Sequence, residues 1–264
     1  MRLVSYNIHK GIGGRDRRYR LDRIMAVIEE HNPDLVCLQE VDRNVRRSRF
    51  HNQPKILAEY FNAAEKMFQL NVHLTTGGYG NLLLSRWKFR SHHQLSLQMR
   101  QKKARGAQLA VVETPEGPLH LAHWHLGLAE NERQWQVKHM LSHRLFEESA
   151  DLPTLIVGDY NDWRNTLATG PFSAAGFEQV TAPVSRFRSF PAYLPVGSLD
   201  KAFIRGKIVI RNARIARSAM AREASDHLPM VIDFHLEDPP FPALAEGVEI
   251  HPGEDSAPEA PSDK

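Results

Sequence analysis

The stretch TLIVGDYN, residues 154–161, is an apolar run of strand length that ends in a polar turn. A continuous apolar run of this length, bounded by a turn signal, is typical of a strand that is buried on both faces. Asp159 and Asn161 stand where this strand gives way to a loop. One such motif is weak evidence, because carboxylates and amides also stabilise ordinary turns. The fold and the chemistry therefore depend on how often the pattern recurs.

Seven other apolar runs have strand length. They are RLVSYNI (2–8), DLVCLQEV (34–41), NLLLSR (81–86), GAQLAVVET (106–114), LHLAHWHL (119–126), KAFIRG (201–206) and PMVIDFHL (229–236). Strands outnumber helices, and several are joined without one, which argues against a simple parallel sheet. Two sheets packed against each other, with helices on the outside, fit this order better.

Two helices are predicted from apolar spacing. The first has the stripe Leu21, Ile24, Met25 and Ile28 and ends at the turn NPD (32–34). The second has the stripe Val137, Met140, Leu141 and Leu145, and Asn131 with Gln134 is predicted to cap it.

Composition divides the chain of 264 residues at its C-terminal end. Residues 237–264 hold six of the 16 prolines, eight acidic side chains and one lysine, a net charge of −7. This composition predicts an acidic, proline-rich, disordered tail. No linker or repeat divides residues 1–236, which we predict to form one domain. The overall charge of +3 leaves +10 for this domain. Such a charge suits nucleic acid, a phosphorylated metabolite or an anionic lipid surface, although arginines that only solvate the surface would also produce it.

Other classes of protein are excluded by the sequence. No apolar run is long enough for a transmembrane segment. The first residues, MRLVSYNIHKG, lack the charged and then apolar pattern of a signal peptide. The single cysteine, Cys37, excludes an internal disulfide, and its apolar neighbours predict a packing role. We expect a cytoplasmic protein.

Polar residues gather at the ends of the predicted strands. They are Asn7, Glu40, His125, Asp159, Asn161, Asp200, Asp226 and His227. Each alone would be a turn, cap or surface residue, but the set combines carboxylates, amides and histidines at the ends of buried strands. Oxygen ligands without cysteine favour Mg²⁺ or Mn²⁺ over zinc. A hard cation with an Asp-His pair suits phosphoryl chemistry. The sequence has no GxxxxGK[ST] loop, which makes binding of a nucleoside triphosphate through that loop unlikely.

The motifs in this order resemble the endonuclease/exonuclease/phosphatase (DNase I-like) superfamily, and most closely its small bacterial cytosolic branch. The resemblance rests on YNI with Asn7, LQE with Glu40, GNLLLSR with Asn81, RG with Arg105, HWHLG with His125, GDYN with Asp159 and Asn161, LD with Asp200, and SDH with Asp226 and His227. It covers about residues 2–236. It implies a four-layer α/β sandwich, in which two mixed β-sheets pack face to face with helices outside.

The resemblance also implies roles for individual residues. Glu40 would hold a divalent cation, Mg²⁺ or Mn²⁺, with Asn7 beside it, and Asp226 would add a contact to the metal or to water. Asp159 and Asn161 would orient the attacking water and the scissile phosphate.

The two histidines receive roles in the same way. His227 would bind the phosphate or act as general base. His125 would stabilise the transition state or protonate the leaving group, oriented by Asp200. Asn81 and Arg105 would contact the phosphate or substrate.

One departure from the family pattern concerns the LD motif. Relatives often have an arginine two residues before the aspartate, where this chain has Ser198, and an aromatic residue or arginine after it, where this chain has Lys201. The assignment of Asp200 to the site is therefore weaker than the others.

The resemblance defines the reaction class better than the substrate. Basic clusters at residues 13–23, 42–49 and 100–106 would hold additional phosphates if they border the cleft, and would otherwise only solvate loops. Trp124, Trp135 and Trp163 could stack on bases or pack within the fold. A metal-dependent phosphodiesterase acting on nucleic acid is our first hypothesis. A phospholipid or small phosphoester hydrolase is the second, and a non-catalytic phosphate-binding protein the third.

Overall fold

Two six-stranded β-sheets form the centre of the computed structural model, which describes residues 1–237. The strands are β1 (Arg2–Asn7), β2 (Leu35–Arg43), β3 (Glu65–His73), β4 (Gly78–Ser85), β5 (Phe89–Ser96), β6 (Gly106–Thr114), β7 (Gly117–His125), β8 (Thr154–Asp159), β9 (Glu178–Gln179), β10 (Asp200–Arg205), β11 (Ile208–Ile215) and β12 (Met230–Leu236). The helices are α1 (Leu21–Glu29), α2 (Gln53–Tyr60), α3 (Glu130–Leu141), α4 (Arg144–Glu147) and α5 (Ala219–Ala224). The predicted α/β sandwich of two mixed sheets is confirmed.

Each sheet has one parallel pair of strands at its centre. The first sheet has the order β11-β12-β1-β2-β4-β3, and the second has the order β5-β6-β7-β8-β10-β9. β1 runs parallel to β2, and β7 runs parallel to β8, while all other neighbours in the described sheets are antiparallel. A helical crossover joins each parallel pair, α1 in the first sheet and α3 with α4 in the second.

Strand β8 is covered on both faces, which explains its continuous run of apolar residues. Leu155 and Val157 pack in the core shared with the first sheet, whereas Ile156 packs in a second core with Val137 and Met140 of α3. All three side chains of β8 are fully buried. A strand covered on both faces needs apolar residues at every position, because neither face meets water.

A chain of polar side chains crosses the core between the sheets. The buried ring of His123 accepts a hydrogen bond at Nε2 from Gln39 Nε2 (2.7 Å) and donates one from Nδ1 to Gln108 Oε1 (2.8 Å). Gln39 Nε2 also reaches Ser5 Oγ at 3.3 Å, and Gln108 Nε2 donates to the Met67 carbonyl at 2.7 Å. These hydrogen bonds replace water between the sheets, although the buried Oε1 of Gln39 has no hydrogen-bond partner within residues 1–237.

The two predicted helices form, with two corrections. The second predicted stripe is divided between two helices, because α3 ends at Leu141 and Leu145 lies in α4. α1 buries Leu21, Ile24 and Ile28 as its spacing predicts. α3 begins at Glu130 without a side-chain cap, so the predicted cap at Asn131 is wrong. Asn131 Oδ1 instead accepts from the next backbone N–H, that of Glu132 (2.8 Å).

Two further predictions concern the C-terminal tail and membrane-spanning segments. The predicted tail, residues 237–264, lies outside the described residues from position 238 onward. Within residues 1–237, no helix has the length and apolar character that a membrane span requires.

Candidate active site

The topology brings the predicted polar residues to one end of the sandwich. Asn7, His125 and Asp159 are the last residues of strands β1, β7 and β8, and Glu40 lies in β2, beside β1. Parallel neighbours end at the same edge of a sheet, so their polar ends meet there. Asp200 begins β10, which runs antiparallel to β8 and pairs Asp200 directly with Asp159.

The SDH turn reaches the same place from the antiparallel strand β12. Ser225 Oγ donates to the Asn7 carbonyl at 2.7 Å, which holds the turn against the end of β1. Asp226 Oδ2 then lies 3.8 Å from His9 Nε2. Ser225 is therefore a structural residue of the turn, and His227 is the member of the motif that enters the buried centre.

Asp159 is the centre of the site. Its Oδ2 accepts a hydrogen bond from Asn7 Nδ2 (3.0 Å), and its Oδ1 accepts one from the Asn161 backbone N–H (3.0 Å). The Nε2 atoms of His125 and His227 lie 3.4 Å and 3.7 Å from the same Oδ2. Burial raises the pKa of Asp159, although the charge of His227 opposes this.

Gly158 allows the GDYN strand to approach its neighbour closely. Its φ is +147°, and a Cβ at this position would lie 2.1 Å from the Trp124 carbonyl oxygen. A side chain is therefore excluded on both conformational and steric grounds. The glycine places Asp159 directly beside His125 in the β7–β8 pair.

Asp200 pairs with His227, which corrects one prediction. The ring Nδ1 of His227 donates to Asp200 Oδ2 at 2.8 Å, and Ser189 Oγ donates to the same oxygen at 2.5 Å. The predicted orientation of His125 by Asp200 is therefore wrong. Burial alone would lower the pKa of His227, but the charges of Asp200 and Asp159 outweigh burial and raise it. The raised pKa favours the imidazolium form of this ring, which lies between the carboxylates of Asp200 and Asp159.

His125 has the opposite electrostatic character. It is buried at the end of β7, and burial together with the positive charges of Arg105, His227 and Lys103 brings its pKa well below the ordinary value. An uncharged imidazole at this position can offer Nε2–H as a hydrogen-bond donor, but it cannot serve as a resident cation.

Glu40 projects from a β-bulge. Gln39 and Glu40 together lie opposite the single residue Asn81 in the β2–β4 pair, and Glu40 has a φ of +58°. A bulge redirects a side chain without ending the strand. Burial opposes ionisation of Glu40, but an ion pair and hydrogen bond with Lys10 Nζ hold the pKa of its carboxylate below the ordinary value.

Two oxygen donors at this end of the site could hold a divalent cation. Within residues 1–237, no group of three or more His, Cys, Asp or Glu side chains is arranged to bind a metal. Mg²⁺, however, usually binds through one or two carboxylates and keeps several waters. Glu40 supplies one carboxylate, and the Asn7 amide oxygen, which accepts from the His9 backbone N–H at 3.1 Å, lies on the adjacent strand.

Three residues predicted to bind phosphate have different environments. Asn161 donates its amide to the Leu126 carbonyl at 3.0 Å, and buried Asn81 donates to the Gly106 carbonyl at 3.1 Å. Arg105 is buried, forms no ion pair with a carboxylate in residues 1–237, and its Nε has no hydrogen-bond partner there. Arg105 is thus the residue of the three with an unused donor.

The three tryptophans differ in burial and in the rings that they contact. Trp124 is fully buried against Tyr160 and Phe172, so it cannot stack on a base. Trp135 stacks on His139 on the surface of α3. Trp163 is 58% exposed and contacts Phe190, whose ring in turn packs 4.9 Å from that of His227.

Several site residues were not predicted from sequence. Ser189 lies in no motif, and only its contact with Asp200 reveals it. Lys10 lies in the stretch NIHKG (7–11), but only its contact with Glu40 reveals its place in the site. Lys201, recorded above as a departure, is buried, donates to the Ser198 carbonyl at 2.7 Å, and has its pKa lowered by burial to about 8. This contact uses the backbone carbonyl of Ser198, whose buried Oγ has no hydrogen-bond partner within residues 1–237.

The family model described as the Endonuclease/Exonuclease/phosphatase family matches residues 4–227. The chain belongs to this family. Members of the family are phosphoester hydrolases, and the arrangement around Asp159 lies within the matched residues.

Similar proteins extend over most of the chain. The uncharacterized protein YbhP of Escherichia coli (strain K12) is 28% identical over 247 residues, which is 89% of this chain and 96% of YbhP. A solved endonuclease/exonuclease/phosphatase from Beutenbergia cavernae has a TM-score of 0.72 at 22% identity and covers 89% of this chain and 71% of its own. The mannosyl-6-phosphatase Bt3783 of Bacteroides thetaiotaomicron has a TM-score of 0.69 at 14% identity, covering 89% and 99%. These structural likenesses concern the fold.

Proposed function

We propose that the protein is a Mg²⁺- or Mn²⁺-dependent phosphodiesterase that hydrolyses nucleic-acid phosphodiester bonds by in-line attack of water. The observation that carries this proposal is the convergence of Asn7, His125 and His227 on the buried carboxylate of Asp159. A carboxylate between two imidazoles, beside an unpaired arginine, suits a reaction that moves a proton and develops negative charge.

The metal site of the proposal consists of Glu40 and Asn7, with Asp226 as the third candidate ligand. When bound, the cation would neutralise charge on the phosphoryl oxygens and make a coordinated water more acidic. Lys10 bonds to the Glu40 carboxylate in the structure, so a cation at Glu40 would take over the role of the Lys10 ammonium.

The side chains around Asp159 would transfer the proton of the attacking water and bind the phosphoryl group. Asp159 accepts the proton of the attacking water, because it is the carboxylate that both imidazoles face. The imidazolium of His227, held by Asp200, donates Nε2–H to a phosphoryl oxygen. His125 donates from Nε2 to the same phosphoryl group, and the guanidinium of Arg105 adds positive charge. As the water oxygen bonds to phosphorus, the phosphorus–oxygen bond to the leaving group breaks, and the leaving oxygen takes a proton from solvent.

Trp163 supports a nucleic-acid substrate. Its exposed ring continues the aromatic surface that begins with Phe190 against His227, and Tyr193 is also 54% exposed. Exposed aromatic faces beside a catalytic centre bind unstacked bases irrespective of sequence, with about 1–3 kcal/mol per base.

A phospholipid or small phosphoester is the second candidate substrate, and a specific observation favours it. Leu194 and Val196, on the same loop as Tyr193, are 64% and 57% exposed. Aliphatic side chains beside the active site would contact acyl chains as readily as an aromatic face contacts a base. The Bacteroides relative named a mannosyl-6-phosphatase illustrates that the family also includes hydrolases of small phosphoesters.

A parallel assay distinguishes these substrates. Purified protein is incubated with single-stranded DNA, an abasic-site duplex, RNA, anionic phospholipid vesicles and bis(p-nitrophenyl) phosphate, each with Mg²⁺ and with EDTA. We expect Mg²⁺-dependent cleavage of nucleic acid and of the chromogenic diester. Asp159→Asn and His227→Ala should each lose about 10²–10⁴-fold in activity, while His235→Ala, far from the site on β12, should not.

The opposite outcomes are equally specific. Full activity in EDTA, or in Asp159→Asn protein, contradicts the mechanism. Cleavage confined to vesicles supports the lipid alternative. Binding of the substrates without hydrolysis of any of them supports a non-catalytic phosphate-binding protein.

A further inference from the structure

Three cationic side chains surround the ring of Tyr79. Arg47, Lys103 and Lys10 lie 5.1 Å, 5.2 Å and 5.5 Å from the ring centroid. Tyr79 itself is largely buried in β4, so its ring forms a fixed floor beneath them. We refer to these four residues, Lys10, Arg47, Tyr79 and Lys103, as the Tyr79 cradle.

The Tyr79 cradle lies next to the catalytic centre, beyond Glu40 along strands β2 and β4. Tyr79 pairs with Asp42 in the β2–β4 ladder, two residues beyond Glu40. Lys10 links the two places, because its ammonium bonds to Glu40 and also lies over the Tyr79 ring. The charge of Lys103 is near enough to the centre to lower the pKa of His125.

The cations of the cradle differ in whether they already have a counter-ion. Arg47 forms two hydrogen bonds with Asp42, at 2.9 Å and 2.7 Å, and Lys10 is paired with Glu40. Lys103 is exposed, and its ammonium forms no ion pair or hydrogen bond within the described part of the chain. An accessible ammonium next to two neutralised cations is the charge that remains available to an anion.

The other basic clusters do not offer this combination. In residues 13–23, Arg23 is paired with Asp16 and Arg20 with Asp22. In the second cluster, Arg43 lies over the ring of Phe68 and Arg49 over the ring of Tyr19, and neither ring carries Lys10, the residue that connects Tyr79 to Glu40. Lys103, from residues 100–106, is therefore the basic residue that has an aromatic support, a position beside the site and no partner within residues 1–237.

We propose that the Tyr79 cradle binds a second phosphate group of the substrate, the one next along the strand from the phosphate that is cleaved, with Lys103 as its main contact. This inference rests on the proposed function and narrows it. The preferred substrate is a polynucleotide strand with at least two phosphates, and a diester with a single phosphate uses only the catalytic centre. Tyr79 supplies an apolar floor for the sugar between the two phosphates.

The salt dependence of binding tests the contact without any need for catalysis. Fluorescence anisotropy measures the dissociation constant of labelled oligothymidylate in EDTA at several salt concentrations. Each phosphate contact on single-stranded nucleic acid contributes about 0.7 to the slope of log K against log salt. We expect Lys103→Gln to reduce the slope by about this amount. Lys103→Arg should restore it, and Lys102→Gln, its exposed neighbour, should leave the slope unchanged.

Steady-state kinetics provide the second arm. Lys103→Gln should raise KM for oligothymidylate by about 10- to 150-fold, as for loss of one charged hydrogen bond, with kcat unchanged. The kcat/KM for bis(p-nitrophenyl) phosphate should not change, because that substrate has one phosphate.

A competition experiment distinguishes a polynucleotide from a small substrate. Soluble compounds with two phosphate groups, which the cradle would also accept, are added as competitors. Stronger inhibition by them than by the oligomer would assign the subsite to a small substrate.

The results that overturn the proposal are separable from those that overturn the proposed function. Equal slopes for Lys103→Gln, Lys102→Gln and the unmodified protein would show that no specific contact exists. Hydrolysis of bis(p-nitrophenyl) phosphate without binding of oligothymidylate would eliminate the strand subsite but keep the phosphodiesterase. Binding with the expected slope change, but no Mg²⁺-dependent hydrolysis, would keep the subsite and eliminate the reaction.

Discussion

Asn7 and Asp159, which are 152 positions apart in the sequence, share a hydrogen bond of 3.0 Å between the ends of the central strands of the two sheets. The bond is buried, and it joins the sheet that carries Glu40 to the sheet that carries His125 and Asp200. The site is therefore a property of how the sheets are packed, and neither sheet contains it alone.

Asn7→Ala should affect both stability and activity. It leaves Asp159 Oδ2 without its amide donor, which costs about 1–3 kcal/mol for a buried acceptor. It also removes the amide oxygen proposed to bind the cation. We expect urea unfolding to show this loss and kcat to fall by at least about tenfold. Asn165→Ala, which breaks the two side-chain hydrogen bonds between Asn165 and Gln179 away from the site, is the control and should retain kcat.

Asp200→Asn should change the charge state of His227. The charge of Asp200 is the largest of the three carboxylate charges that raise the pKa of His227, so its removal should lower that pKa. NMR titration of the ring protons measures the shift directly, and kcat/KM should fall by about 10²-fold or more. Ser189→Ala removes a hydrogen bond to Asp200 but not the charge, so its effect on the pKa should be smaller. An unaltered His227 titration in Asp200→Asn protein would refute the pairing.

Lys10→Met should make the stability of the protein depend on a cation bound at Glu40. Without Lys10, the mostly buried carboxylate has no counter-ion, and breaking such a pair costs about 3 kcal/mol. We expect this loss in EDTA and its partial recovery when Mg²⁺ is added, both measured by urea unfolding. The double variant Lys10→Met/Glu40→Gln removes both charges and should be insensitive to Mg²⁺. Equal Mg²⁺ effects on the single and double variants would contradict a cation site at Glu40.

Two buried histidines should make the fold sensitive to acid. Burial lowers the pKa of His120 to about 4, with help from the charge of Arg205, and lowers that of His123 to about 3. The folded state therefore takes up these protons later than the unfolded state, whose histidines titrate near 6.5. Stability from these groups is complete above pH 6.5 and is lost as the pH falls towards 4 and 3.

Each histidine should remove about 1.4 kcal/mol of stability for each pH unit in that range. Urea unfolding at pH 7, 6 and 5 measures the slope. His120→Gln should reduce it, whereas His92→Gln, at an exposed position of β5, should not. A slope that is the same in both variants would indicate that other groups cause the loss.

The sequence predicted the central strands but not the outer ones. All eight predicted runs are strands, and each lies mainly within one of β1, β2, β4, β6, β7, β8, β10 and β12. The four that were missed, β3, β5, β9 and β11, are the four edges of the two sheets. An edge strand has one neighbour and a larger solvated surface, so its sequence needs fewer apolar residues. The strand FRSHHQLS of β5 shows the result, since half of its residues are exposed.

The site could be located from sequence, but its contacts could not. Strand ends correctly placed Asn7, Glu40, Asp159 and His227 at one end of the sandwich. The pairing of Asp200 with His227 depends on the loop that carries Ser189, and such a loop has no periodic pattern. The bulge that turns Glu40 inward likewise results from a register shift between two strands, which neither strand encodes by itself.

The polar chain through His123 fixes the two sheets against sliding. Apolar layers can slip past each other with little change in free energy, but hydrogen bonds tolerate displacements of only a few tenths of an ångström. Gln39 directly precedes Glu40 and pairs with Asn7, and His123 lies two residues before His125. These buried hydrogen bonds therefore fix the relative position of the two sheets next to the catalytic groups. Any motion that opens the cleft has to occur in the loops that follow the strands.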